Sequence, residues 1–128
     1  MKKIVTSVIA SLILTVSSAQ ADEKYKHFPS LDSADTATAL CNLEQFNKKL
    51  QAIVNKDDLK PEDMVKVHEL TYTLENAVFR LQKDLETIAV DLENVHKASE
   101  RLDNNTIKGS GKDYLDATSK ILNKNVCK

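Results

Sequence analysis

The stretch HELTYTLENAVFRLQKDLETIAVDLENVH, residues 68–96, decides the fold. It contains neither glycine nor proline and carries a histidine at each end, 28 positions apart. Carried outward, its inner stripe runs Val67, Leu70, Leu74, Val78, Leu81, Leu85, Ile88, Leu92, Val95, Ser99 and Leu102. The steps are all threes and fours, heptad spacing with a single stutter, so one stripe stays on one side of a helix. A chain reversal needs about two to eight residues, normally marked by Gly, Pro or clustered Asn, Asp and Ser. No such break follows Pro61 until Asp103-Asn104-Asn105. The spacing therefore predicts one helix over about residues 61–103, on the order of 60 Å long at 1.5 Å per residue. Pro61 suits its first position, where the missing N–H has no intrahelical partner, and Glu62 and Asp63 meet the positive end. The most polar patch, Gln82-Lys83-Asp84, is where a hidden break would fall. Broken there, the chain would form a compact four-helix bundle instead.

Two shorter helices flank this rod in an all-α fold. The first is expected over about 33–55, with Asp32 or Ser33 as N-cap and Asp35 in the first turn. Ala37, Leu40, Leu43, Phe46, Leu50 and Ile53 give it one apolar stripe. The last is expected over about 106–125, capped by Thr106, with Ile107, Gly111, Tyr114, Thr118 and Ile121 at helical spacing. Gly109 and Gly111 each weaken it by about 1 kcal/mol relative to alanine. Either that helix starts nearer Ser110, or the small residues let it approach the rod closely. Residues 22–31, DEKYKHFPSL, show no periodicity and read as an extended strap or tail.

The N-terminus, MKKIVTSVIASLILTVSSAQA, has a positive start, an apolar run from Ile4 to Val16 and a small-x-small site at Ala19-Gln20-Ala21. That order is a secretory signal peptide over residues 1–21, and a short double-lysine leader points to the periplasm. The apolar run is shorter than the roughly 20 residues a bilayer span needs, so no membrane insertion is expected after cleavage. The remaining chain, 128 − 21 = 107 residues, is one domain's worth. Loss of Lys2 and Lys3 takes the formal charge from −1 to −3, with both signs interspersed. No basic patch for nucleic acid is present.

Cys41 and Cys127 form an even pair in an oxidising compartment, which favours a disulfide. Folding the short helices back along the rod places Cys41 near the level of residue 75 and Cys127 near 82. Those levels are about 10 Å apart, and a modest shift brings them within the roughly 7 Å a disulfide spans. The short helices then meet end to end beside the middle of the rod. Only two helices cover each half, so an apolar flank is left for a homodimer to cover.

Residues that could carry chemistry are few. Glu93-Asn94-Val95-His96 places a carboxylate and an imidazole on one helical face, the spacing used by di-iron bundles. His68 and His96 lie about 42 Å apart on a straight rod and cannot share a metal within one chain. In an antiparallel dimer crossing near Gln82, however, His68 would meet Glu93 and His96 of the second chain, a donor set for zinc or copper. The commoner role for such histidines is to edge a core with half-wet rings. Tyr72, Glu75, Asn76 and Phe79 share a stripe beside the core and read as interface rather than pocket. No phosphate loop, nucleophile set or HExxH is present.

The layout, a signal peptide before about 105 helical residues, resembles cytochrome b562. That resemblance implies a methionine ligand on the first helix and a histidine on the last. This chain has neither, and Met64 and His68 share one face. EDMVKVHELTYTLE (62–75) and VHKASE (95–100) resemble an uncharacterised family of short exported helical proteins of Gram-negative bacteria. The resemblance implies fold and compartment but no activity. The expected role is a non-enzymatic interaction or structural module, the alternative a metal- or haem-binding bundle.

Overall fold

The computed structural model describes residues 29–127. The signal-peptide reading of residues 1–21, and residues 22–28 of the strap or tail, lie outside the described residues. Three helices follow in order, α1 (Thr36–Val54), α2 (Pro61–Glu100) and α3 (Asn104–Ile121), with no strand among the described residues. The 40 residues of α2 are unbroken, so the four-helix alternative with a reversal near residues 82–84 is not adopted.

Helix α2 opens as its sequence requires. Pro61 takes the first turn, and Asp63 Oδ2 accepts the Lys60 backbone N–H at 3.1 Å. Asp63 is buried, and its other oxygen takes Lys56 Nζ at 2.7 Å. These bonds, that to Lys56 first, hold the Asp63 carboxyl below the usual carboxylate range. The same contact ties the α1–α2 link to the start of the rod.

Four boundaries differ from the sequence expectation. α1 starts at Thr36, because Asp35, not Asp32 or Ser33, accepts the Thr38 N–H at 2.8 Å and is the N-cap. Residues 32 and 33 are used by the strap instead: Asn42 donates to Asp32 O at 3.2 Å and to Ser33 Oγ at 3.1 Å. α2 ends at Glu100 rather than near 103. Asp103 N–H bonds back to Ala98 O at 2.9 Å and Leu102 N–H to Ser99 O at 3.3 Å, a Schellman closure. Leu102 sits at its left-handed position with φ 54° and is 84% exposed, so it leaves the inner stripe. α3 starts at Asn104, two residues early, because Asp103 caps it through Thr106 N–H at 3.1 Å. It ends at Ile121 rather than near 125.

Both short helices run antiparallel to the rod and converge on its middle. Thr36 at the head of α1 reaches Asp84, while Gly111 in α3 lies beside Val95. Lys120 near the end of α3 acts electrostatically on Asp84. The segment after α3 then crosses to α1, where Cys127 is bonded to Cys41 with Cα atoms 4.9 Å apart. Ala39, Ile53, Leu74, Ala77, Ile88 and Ala98 form the apolar core. Alanine at three of these six buried positions lets helix backbones approach closely.

The two glycines of α3 serve no close approach. A Cβ added at Gly111 would meet Val95 at an ordinary 3.8 Å, and one at Gly109 would meet open space. The helix nevertheless includes both, because its Asp103 cap lies upstream of them.

Candidate functional site: the two faces of the long helix

One polar edge of α2 faces inward and holds the strap. Thr73 Oγ accepts the Leu31 N–H at 3.1 Å, and Asn76 donates to Leu31 O at 3.1 Å. Arg80 donates to Ala34 O, and its Nε donates to both Asp84 oxygens at 3.0 Å. Thr36 Oγ donates to Asp84 Oδ2 at 2.8 Å. Burial raises the Asp84 carboxyl, but the bonds from Arg80 and Thr36 outweigh it and leave the group below its ordinary value. Thr73, Asn76, Arg80 and Asp84 recur at steps of three and four, so they form one ladder along the helix. It satisfies strap backbone groups that would otherwise lack partners. Of these, the sequence singled out only Asn76 as an interface residue; its bonds here are to the strap of its own chain. The polar patch around Asp84 is not a weak point in the rod but the junction where α1 and α3 meet.

The histidines lie elsewhere. Tyr72 OH is 3.2 Å from His68 Nε2, with the rings edge to face at 5.1 Å. His96 Nε2 lies 3.4 Å from Glu100, and Glu93 pairs with Lys97 at 3.0 Å. The Lys97 ammonium holds Glu93 below its ordinary value. Glu93 and His96 thus each have an i,i+4 partner on the same helix. Among the described residues no group of three metal-ligating side chains converges within the chain. Glu75 and Phe79 are exposed, and Phe79 borders a shallow hollow with Asn76, Arg80 and the strap.

The opposite flank of α2 is apolar and uncovered. Val78, Leu85 and Leu92 recur every seventh residue and each remains about half exposed. Val78, Leu81, Gln82, Leu85, Glu86 and Ala89 line an open trough there. Leu74 and Ile88, the other half of the heptad, are buried against the short helices. The N-terminal half of the rod has α1 and the strap over it. The C-terminal half has α3 alone, which contains no fully buried residue. Leu115 on α3 and Leu122 at its C-cap are also strongly exposed, again seven apart. Sequence reasoning anticipated an apolar flank on the rod but not its extension onto α3. The i,i+7 leucine pair was the signal.

A disulfide-closed helical rod with a polar ladder on one edge and a bare heptad stripe on the other defines the class as an all-helical scaffold. Its family is given by comparison with known proteins: a model described as a family of unknown function (DUF6746) matches residues 1–123, and the chain belongs to that family. No curated protein and no solved structure matches it.

Proposed function

We propose that this protein is a non-enzymatic helical interaction module, exported to the periplasm of a Gram-negative bacterium through a cleaved signal peptide. The observation that carries the reading is the exposed run Val78, Leu85, Leu92 on a helix whose other heptad series is buried. Apolar residues scattered singly over a surface need no explanation, but a contiguous patch marks an interaction site. This one lies on a rigid, continuous helix and adjoins no converging set of titratable groups. The signal sequence and the Cys41–Cys127 bond support the compartment, since such bonds persist where the environment is oxidising.

The test is site-specific crosslinking in cells. A benzophenone amino acid replaces Leu85, and in a control replaces Glu62 on the exposed start of α2. The expected result is a discrete protein adduct from the Leu85 position alone. Equal or absent adducts at both positions sink the docking reading. Export is read separately, by recovery of a chain shortened by about 2 kDa in the periplasmic fraction, the mass of a leader of roughly 20 residues.

A further inference from the structure

We infer that the partner on this face is a second copy of the chain, docked in parallel, so that α2 of each protomer lies against α3 of the other. The inference rests on the docking reading above and names its occupant.

The face spans both helices. Taking about 100° per residue, Leu85 and Leu92 stand roughly 70–90° round α2 from its buried stripe. Leu115 and Leu122 stand roughly 80–100° round α3 from its inner stripe, in the same rotational sense. For two antiparallel helices, equal rotations of the same sense lead to the same side of the pair. The register also matches. Gly111 sits beside Val95, which places Leu115 near the level of residue 90 and Leu122 near 83. Leu85, Leu92, Leu115 and Leu122 therefore make one apolar face on the C-terminal half of the molecule, the half that lacks a third layer, and Val78 extends it past the end of α3.

Size and charge choose the occupant. α3 has 18 residues, so the two-helix face is about 27 Å long and about 20 Å wide, and face-to-face docking covers on the order of 1,100 Å² in total. That clears the roughly 1,000 Å² expected of a specific interface and lies at the small end of the class. Two hairpins stacked this way give four helices in cross-section, which completes the layer count the single chain lacks. The rims then set direction. Beyond the apolar stripe, α2 carries Glu75, Glu86 and Glu93, the last paired with Lys97, whereas α3 carries Lys108 and Lys112, the latter paired with Asp116. A two-fold axis parallel to the helices sets Glu93 level with the partner's Lys112, where both can exchange their in-chain partners for one another. A two-fold axis across the helices would stack α2 on α2 and set Glu93 close to the partner's Glu75, like charge on like. Charge arrangement of this kind selects between otherwise similar docked states. The parallel arrangement also keeps His68 and His96 of the two chains 28 residues apart, so this dimer builds no shared histidine metal site.

The experiment uses the disulfide-bonded chain from Asp22, by analytical ultracentrifugation over about 1–500 μM, the range spanning typical weak to moderate complexes. A dimer is expected for the parent, and a monomer of unchanged helicity for Leu85→Glu with Leu92→Glu. Glu93→Lys should weaken association about tenfold, and adding Lys112→Glu should restore it. Spin labels at Lys97 should report a single inter-protomer distance near 20–25 Å. An α2-on-α2 dimer centred at Leu85 would separate them by about 36 Å along the axis. A monomer at every concentration overturns the proposal. If the Leu85 crosslinker still captures a different protein, the docking reading survives while the second-copy assignment fails. A chain that dimerises only once residues 22–28 are deleted identifies that segment as the occupant and likewise overturns it. The long spin-label distance overturns the parallel arrangement.

Discussion

Thr36, the first residue of α1, donates its hydroxyl to Asp84 at the midpoint of α2 over 2.8 Å. Asp84 also takes both Arg80 contacts at 3.0 Å, and its side chain is 17% exposed. One carboxylate thus fixes where α1 turns back, where the strap ends and where α3 arrives. Asp84→Asn retains the shape and an acceptor for Thr36 but removes the charge facing Arg80. The expected loss is about 1–3 kcal/mol, the scale of a charge-assisted bond in a partly buried site. Thr36→Val should cost about 1 kcal/mol. Urea denaturation checks both: the midpoint should fall with an unchanged slope. No shift in the Asn variant would show that the junction carries no stability.

The rod was legible because Val67 to Val95 repeat by threes and fours without a turn residue, and tertiary packing had no reason to override them. The ends were less so. Asp32, Ser33 and Asp35 are all competent N-caps, and the choice of Asp35 depends on the strap using residues 32 and 33 for Asn42. At the other corner Asp103 both closes α2 through its N–H and opens α3 through its side chain, which removes the need for Thr106 as a cap. The Thr73-Asn76-Arg80-Asp84 ladder escaped notice because polar residues along an amphipathic helix normally face water. Only the return of the strap turns them inward.

Acid should unfold the protein through a defined set of carboxylates. Hydrogen bonds from Thr38 lower Asp35, those from Lys56 and Lys60 lower Asp63, and those from Thr106 lower Asp103. A carboxylate whose folded pKa lies below its unfolded value contributes stability above the unfolded range. That contribution is lost as pH falls through the folded value. Stability should therefore be level from pH 7 to about 5 and decline below about 4. Lys112 has the opposite sense: Asp116 raises it, so its contribution persists at neutral pH and is lost only in strong alkali. Thermal unfolding across pH tests this; a decline already evident between pH 7 and 6 would contradict it.

The disulfide closes a separation of 86 residues. In the chain-entropy model such a loop stabilises by about 4–5 kcal/mol. α3 has no fully buried residue and is tied to α1 through the tail that carries Cys127. Reduction should lower the denaturation midpoint and speed amide exchange in α3 before α2, because locally weak elements open first. Equal protection of α3 before and after reduction would contradict this.

Of the two glycines in α3, Gly109 is the one where an added methyl group meets nothing within 4 Å. Gly109→Ala should stabilise by about 0.5–1 kcal/mol, through helix propensity and a less disordered unfolded chain. Gly111→Ala should gain at least as much, since its methyl would make an ordinary van der Waals contact with Val95 at 3.8 Å. Paired denaturation curves read the order. A loss at Gly109 would mean that a partner occupies the space beside it.

Leu102 holds a left-handed backbone, φ 54°, with 84% of its surface exposed. For an L residue with a Cβ that conformation costs about 1–2 kcal/mol, and glycine is the usual occupant of this closing position. Its side chain offsets little of that cost, because it packs against almost nothing. Leu102→Gly removes the strain while keeping both closing bonds, Leu102 N–H to Ser99 O and Asp103 N–H to Ala98 O. Part of the gain is returned to the unfolded state, which glycine makes more disordered. The net expectation is a stabilisation of about 0.5–1 kcal/mol, seen as a higher urea midpoint with unchanged helicity. A loss of stability would mean that the leucine makes a contact outside the single chain. Repeating the measurement at high and low protein concentration separates the two cases, since only an intermolecular contact makes the loss concentration-dependent.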